Sequence, residues 1–312
     1  MDLRQRNIPE HLSHTLDEVK AVEHEAIEFV KTFTWSQIEE WQRDNEYIIR
    51  GYRRAQNSWK GCFHSVFGYL HNETVNIHSH LWAAIFFLFL LLINSALVMS
   101  RYPTATLIDS VMCSVFLASA VFCLMSSSIY HMSGCHSEHV SRRCNALDYV
   151  GIVVLIVGSF FPAVYYAFYC DPHLERFYIS VVSLSGLGAA YIVLNPEYQK
   201  SSHRGARTKV FIALGLSAIV PITHALLSHG LYTLRTEMGF DYVVLSGGLY
   251  ILGALLYANR VPERFSPGTF DYFFASHQIF HAMVVLAALV HYVSVLAEIE
   301  YRHGQQAGLC PV

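Results

Sequence analysis

The chain has 312 residues, of which 53% are hydrophobic and 14% charged, against about 25% charged in ordinary soluble domains. Mean hydropathy is +0.33. The net charge of -3 and the lack of a basic run exclude a nucleic-acid partner from the reading.

The polar opening, "MDLRQRNIPEHLSHTLDEVK", holds no apolar core of the kind cleaved from a secretory leader. His11, His14 and His24 sit in this arm and carry no pattern. Further on, "WSQIEEWQRDNEYIIRGYRR" places Ser36 three residues before Glu39, a capping-box spacing that predicts a largely helical segment. "CFHSVFGYL" is apolar on several sides and suits a short helix at a membrane interface.

Seven apolar segments follow, each near the length that crosses a bilayer as a helix. They run roughly Leu81–Met99, Leu107–Tyr130, Ala146–Tyr169, Phe177–Leu194, Val210–Ser228, Tyr242–Ala258 and Phe273–Ala297. Pro162 and Pro221 lie inside two of them as tolerated kinks. "SLSGLGAA" and "LSGGLY" offer small residues for close helix approach. The fold class expected is an all-α integral membrane protein, a bundle of seven transmembrane helices. Residues 1–75 form a cytosolic segment with short interfacial helices, 76–300 the membrane domain and 301–312 a short extracytosolic tail.

Loop charge sets the expected orientation. Twelve basic residues fall before the first span and in the loops after spans two, four and six; only Arg101, Arg176, Arg235 and Arg302 face the other way. That bias places the N-terminus in the cytosol and the C-terminus outside. The host membrane is the plasma membrane or the endoplasmic reticulum. Seven scattered cysteines without a CxxC pair read as buried, reduced thiols rather than a disulfide framework.

The costly residues are the informative ones, because an ionisable side chain inside a membrane span marks function by default. His277 and His281 differ by four and share one helix face at the cytosolic start of span seven. His131 closes span two at the same level, with Ser127 one turn before it, and Asp148 opens span three. Three imidazoles from two helices suit a catalytic zinc that keeps a position for water, with a carboxylate near enough to take its proton. The bland alternative is a set of interfacial histidines satisfied by water and loop groups. A competing loop site would use His131, Cys135, His136 and His139, although the last three read as exposed. His291 lies about 15 Å beyond His281 along the helix and cannot share that metal. His224 reads as a partner of a carbonyl freed by Pro221, while His78 and His80 read as interface anchors.

At these residues the chain resembles the progestin and adipoQ receptor family, most closely its adiponectin-receptor branch and the fungal zinc-homeostasis proteins. The resemblance rests on "WQRDNEYIIRGYR", "NETVNIHSHLW", "SSSIYHMSGCHSEHVSRRCNALDYVGI" and "RVPERFSPGTFDYFFASHQIFHAMVVLAALVHY" and spans about four-fifths of the chain. It implies a zinc ion on His131, His277 and His281, with Asp148 holding the bound water and Ser127 beside the first ligand. It also implies a link to ceramidase activity, with a ceramide-type lipid as substrate, a fatty acid as product and an extracellular protein ligand. Two further readings stay open: a non-catalytic receptor with structural zinc, and a zinc-homeostasis factor. Neither the oligomeric state nor the acyl preference is legible here.

Overall fold

The computed structural model describes residues 32–237 and 239–310. The polar arm with His11, His14 and His24 lies outside the described residues. Seven helices in the described chain are long and apolar enough to cross a membrane: Thr74–Arg101, Leu107–Ser133, Glu138–Ala167, Pro172–Leu194, Arg204–Thr236, Phe240–Phe265 and Ser276–Gln305. They are called spans one to seven below. The protein is an integral multi-pass membrane protein. Most spans start earlier than hydropathy alone predicts, because polar first turns are helical yet add nothing to an apolar window. At span one the gain matters most, because the helix begins at Thr74 and so carries Asn76 and His80 inside the bundle.

The main core joins spans one, two, three and seven through Phe87, Phe116, Leu124, Leu155, Val284 and Val295. Spans two and three meet closely at Gly151, where an added Cβ would lie 3.0 Å from the Cys123 backbone Cα. Only a residue without a side chain allows that approach. It is also what sets Asp148, one turn before Gly151, against the Ser127 turn of span two. Span five is interrupted between Leu216 and Ile219 and again at Gly230; the first break lies just before Pro221, a residue that cannot donate into the helical ladder.

Before the bundle, the expected long helix is absent. Among the described residues the segment forms one 3₁₀ turn, Glu40–Gln42, and a helix, Trp59–Gly68. The 3₁₀ turn starts after Glu39, so the predicted Ser36 cap is not formed. Instead Phe33 pairs antiparallel with Tyr52, and the Ile49 and Arg50 amides donate to Asp271 at 2.7 and 3.1 Å. Gly51, at φ +84, turns the chain where a helix would have continued. Arg204 grips the Asp44 carboxylate at 2.7 and 2.8 Å. Burial would raise the Asp44 carboxyl, but Arg204 and Arg260 hold it below its ordinary range. The segment is thereby tied across the bundle end that carries the histidines.

The opposite end is fastened through the tail. Cys170, just after span three, is bonded to Cys310, which corrects the expectation that all seven cysteines are reduced thiols. Spacing gave no hint of a bond that closes 140 residues of sequence. His303 Nε2 lies 2.8 Å from Asp109 Oδ1, both side chains fully buried. The Tyr165 and Tyr166 hydroxyls donate to the same oxygen.

Candidate metal centre

His131 ends span two, and His277 and His281 stand in the first two turns of span seven. The packing of these spans brings one nitrogen of each within 4.8 Å of the others. Their ring centroids are 4.7 to 4.9 Å apart and the ring planes cross at 70 to 78°. His131 and His281 are buried.

The outer nitrogens are held by the protein. His131 Nδ1 meets Glu73 Oε2 at 2.7 Å, and His281 Nδ1 faces the Asn76 carbonyl at 3.1 Å. Each contact fixes the tautomer that leaves Nε2 free. His131 Nε2 is buried without a protein partner. A buried imidazole nitrogen with no protein partner, in a close trio of histidines, is suited to a metal ion as its partner. The residues present fit a tetrahedral zinc with three protein donors. Burial would raise the Glu73 carboxyl, but its contact with His131 holds it below the usual range.

Helix ends and neighbouring chain position each ligand. Glu263 is fully buried and accepts the Ser276 amide at 2.7 Å together with the Ser276 hydroxyl. A carboxylate at a helix N-terminus is favoured by the free amides there, and this one fixes the turn that carries His277. Arg53 donates to the His131 and Met132 carbonyls, capping the last turn of span two. His80 stacks on His281 with centroids 3.7 Å apart and planes 12° from parallel. It is buried and lines the cavity, so it is no interface anchor.

A cavity of about 460 Å³ opens from His277 and His281, two members of the trio. His277, His281, Ser127 and Asp148 line one end, and the walls are mostly aliphatic and aromatic side chains of spans three, five, six and seven. The Ser127 hydroxyl lies within hydrogen-bonding reach of the Asp148 carboxylate. A smaller polar recess shares His277 and Tyr257 with it and is lined by Asp44, Glu73, Arg204 and Arg260. His277 therefore sits between an apolar chamber and a charged recess.

The competing histidines go elsewhere. Cys135 is buried, not exposed, with its sulfur 3.6 Å from Cys62. His136 packs on Trp59, and His139 is exposed. His291 Nε2 meets the Ser159 carbonyl at 3.0 Å. His224 pairs with the Tyr178 hydroxyl at 2.8 Å rather than with a freed carbonyl. The structure brings together the trio, Ser127 and Asp148, all singled out from the sequence for this site, and adds Glu73, Asn76, His80 and Glu263, which were not. The one signal available was in "NETVNIHSH", whose polar residues recur at helical spacing into an apolar run.

The haemolysin-III-related family matches residues 68–292. "Progestin and adipoQ receptor-like protein 1" of Caenorhabditis elegans is 38% identical over 283 residues, covering 90% of this chain and 63% of its own length. An "Adiponectin receptor protein" of Drosophila melanogaster is 38% identical over 274 residues, 87% of this chain and 60% of its own. An "ADIPOR-like receptor" of Saccharomyces cerevisiae is 37% identical over 273 residues, 88% and 86% respectively. The chain thus spans under two thirds of the first two relatives and most of the third.

Proposed function

This chain belongs to the haemolysin-III-related family, that of the progestin and adipoQ receptors, and from that premise we propose a zinc-dependent lipid amide hydrolase coupled to receptor signalling. One observation carries the reading: of three imidazoles gathered around a common point, His277 and His281 line a lipid-sized apolar cavity that Ser127 and Asp148 also line. The substrate is a ceramide-type lipid, and water adds across its amide to give a fatty acid and a long-chain base.

Zinc on His131, His277 and His281 would supply Lewis acidity toward an amide carbonyl and lower the pKa of water. Asp148 orients that water and takes its proton, which then leaves with the amine. Ser127 donates its one hydroxyl proton to Asp148 at rest; once Asp148 has taken the water's proton, that hydroxyl can turn to the carbonyl oxygen as charge develops there. Glu73 keeps His131 in the tautomer that offers Nε2. Aliphatic walls receive the acyl chain and keep bulk water from the reacting centre.

The names of the relatives, as receptors, favour a ligand-controlled activity, with an extracellular protein as the controlling partner. A second reading is a non-catalytic receptor in which the metal clamps span two to span seven; the donors do come from those two spans. Purified protein assayed with ceramides of several chain lengths, zinc-loaded against zinc-stripped, decides. Fatty acid release that depends on zinc supports the hydrolase. Its absence across all chain lengths in the zinc-loaded protein rejects it and leaves the clamp.

A further inference from the structure

The cavity has a second polar end. Val284, His291 and Glu298, spaced by seven along span seven, share one helix face, and all three line the cavity. Glu298 lies seventeen residues past His281, about 25 Å along the helix. It is 2% exposed, and its Oε2 has no hydrogen-bond partner. Oε1 receives only a long contact of 3.3 Å from the Ser294 hydroxyl. No ion pair involves it among the described residues. Leu234 and Phe240 line the same chamber.

A lone carboxyl in apolar surroundings is costly unless something pairs with it. The molecule that could do so must enter the cavity, carry a long hydrocarbon body and present a hydrogen-bond donor, best a cation, at its tip. We propose that Glu298 anchors a second lipid subsite that takes a long-chain primary amine. Its ammonium sits on Glu298 Oε2, and its hydrocarbon runs back toward the histidines. The Ser294 hydroxyl oxygen is a further acceptor beside it. A fatty acid is repelled at this end and is suited to the histidine end. Amine and acid therefore fill one chamber in opposite directions and exclude each other. The inference rests on the cavity and its far carboxyl, not on hydrolysis, so binding and turnover can fail separately.

The test uses the full-length protein in phosphatidylcholine nanodiscs, with binding of radiolabelled octadecylamine and octadecanol measured above empty nanodiscs. The amine is expected to bind about tenfold or more tightly than the alcohol, the scale of a hydrogen bond to a charged group. Glu298→Gln should lose that preference and keep alcohol binding. If Glu298→Gln does not fold, Glu298→Asp takes its place. The shortened acid should weaken the amine while sparing the alcohol. Equal binding of amine and alcohol by the wild type, or an unchanged preference in the variant, overturns the proposal.

Discussion

Glu73 Oε2 stands 2.7 Å from His131 Nδ1, joining the first residue before span one to the last turn of span two. A carboxylate behind a metal-binding imidazole raises its basicity and locks its orientation, and its loss typically costs about 10–100-fold in metal affinity. Glu73→Ala is expected to weaken zinc by that range in a chelator competition, with the helical signal intact. Glu73→Gln, which still accepts from Nδ1–H, should fall between. Unchanged affinity in the alanine variant would sink the role.

The purified protein is expected to carry about one zinc per chain, in keeping with one three-donor site. Alanine at His131, His277 or His281 should remove most of it, while His136→Ala and His291→Ala should retain it. Elemental analysis reads the result. Loss in His136→Ala with retention in His277→Ala would move the site to the loop.

Asp148→Asn separates chemistry from architecture. The amide keeps the shape and one acceptor but takes no proton at working pH. The variant should hold near-normal zinc and lose about 10²–10⁴ in the rate of lipid amide hydrolysis, the usual contribution of a general base. Full activity in a zinc-loaded Asp148→Asn protein would take Asp148 out of the mechanism.

Gly151→Ala tests the approach of spans two and three. Its Cβ would meet the Cys123 backbone at 3.0 Å, where nothing can rotate aside. A loss of about 1–3 kcal/mol is expected, as for overpacking elsewhere, with lowered thermal stability in detergent. Gly188 has nothing within 4 Å of an added Cβ, so Gly188→Ala should be neutral. Equal effects at both positions would mean that close approach is not what Gly151 provides.

The orientation proposed from the basic residues gains support from the Cys170–Cys310 pairing, since disulfides persist on the oxidising side of a membrane. A tag after Val312 should be reached by antibody on intact cells, or be protected from protease in sealed microsomes. The tail should also shift on gels between reduced and oxidised samples. A tag found on the cytosolic face would reverse the topology.

Much of this was legible because the bilayer forces it. Each span must be apolar over most of its length, so the seven spans stand out, and an imidazole in such a run stands out further. What was hidden is tertiary. Glu73 and Asn76 look like loop residues until span one is seen to begin at Thr74. His80 looks interfacial until it stacks on His281. Glu263 gains its role only when the chain folds back onto Ser276. The segment from Trp35 to Arg54 has a helical pattern, yet beyond the Glu40–Gln42 turn Asp271 and Gly51 claim the backbone around Ile49 and Arg50 for another course.

The Cys170–Cys310 bond also orders events in time. Cys310 lies just beyond span seven, so the bond can close only after span seven has been made and the last four spans have entered the membrane. From then on they lie within one covalent ring. A single cut anywhere between the two cysteines leaves the pieces joined until a reductant is added. The bond thus serves as a chemical receipt for finished insertion: newly made chains that carry it have completed the bundle, and those that lack it have not.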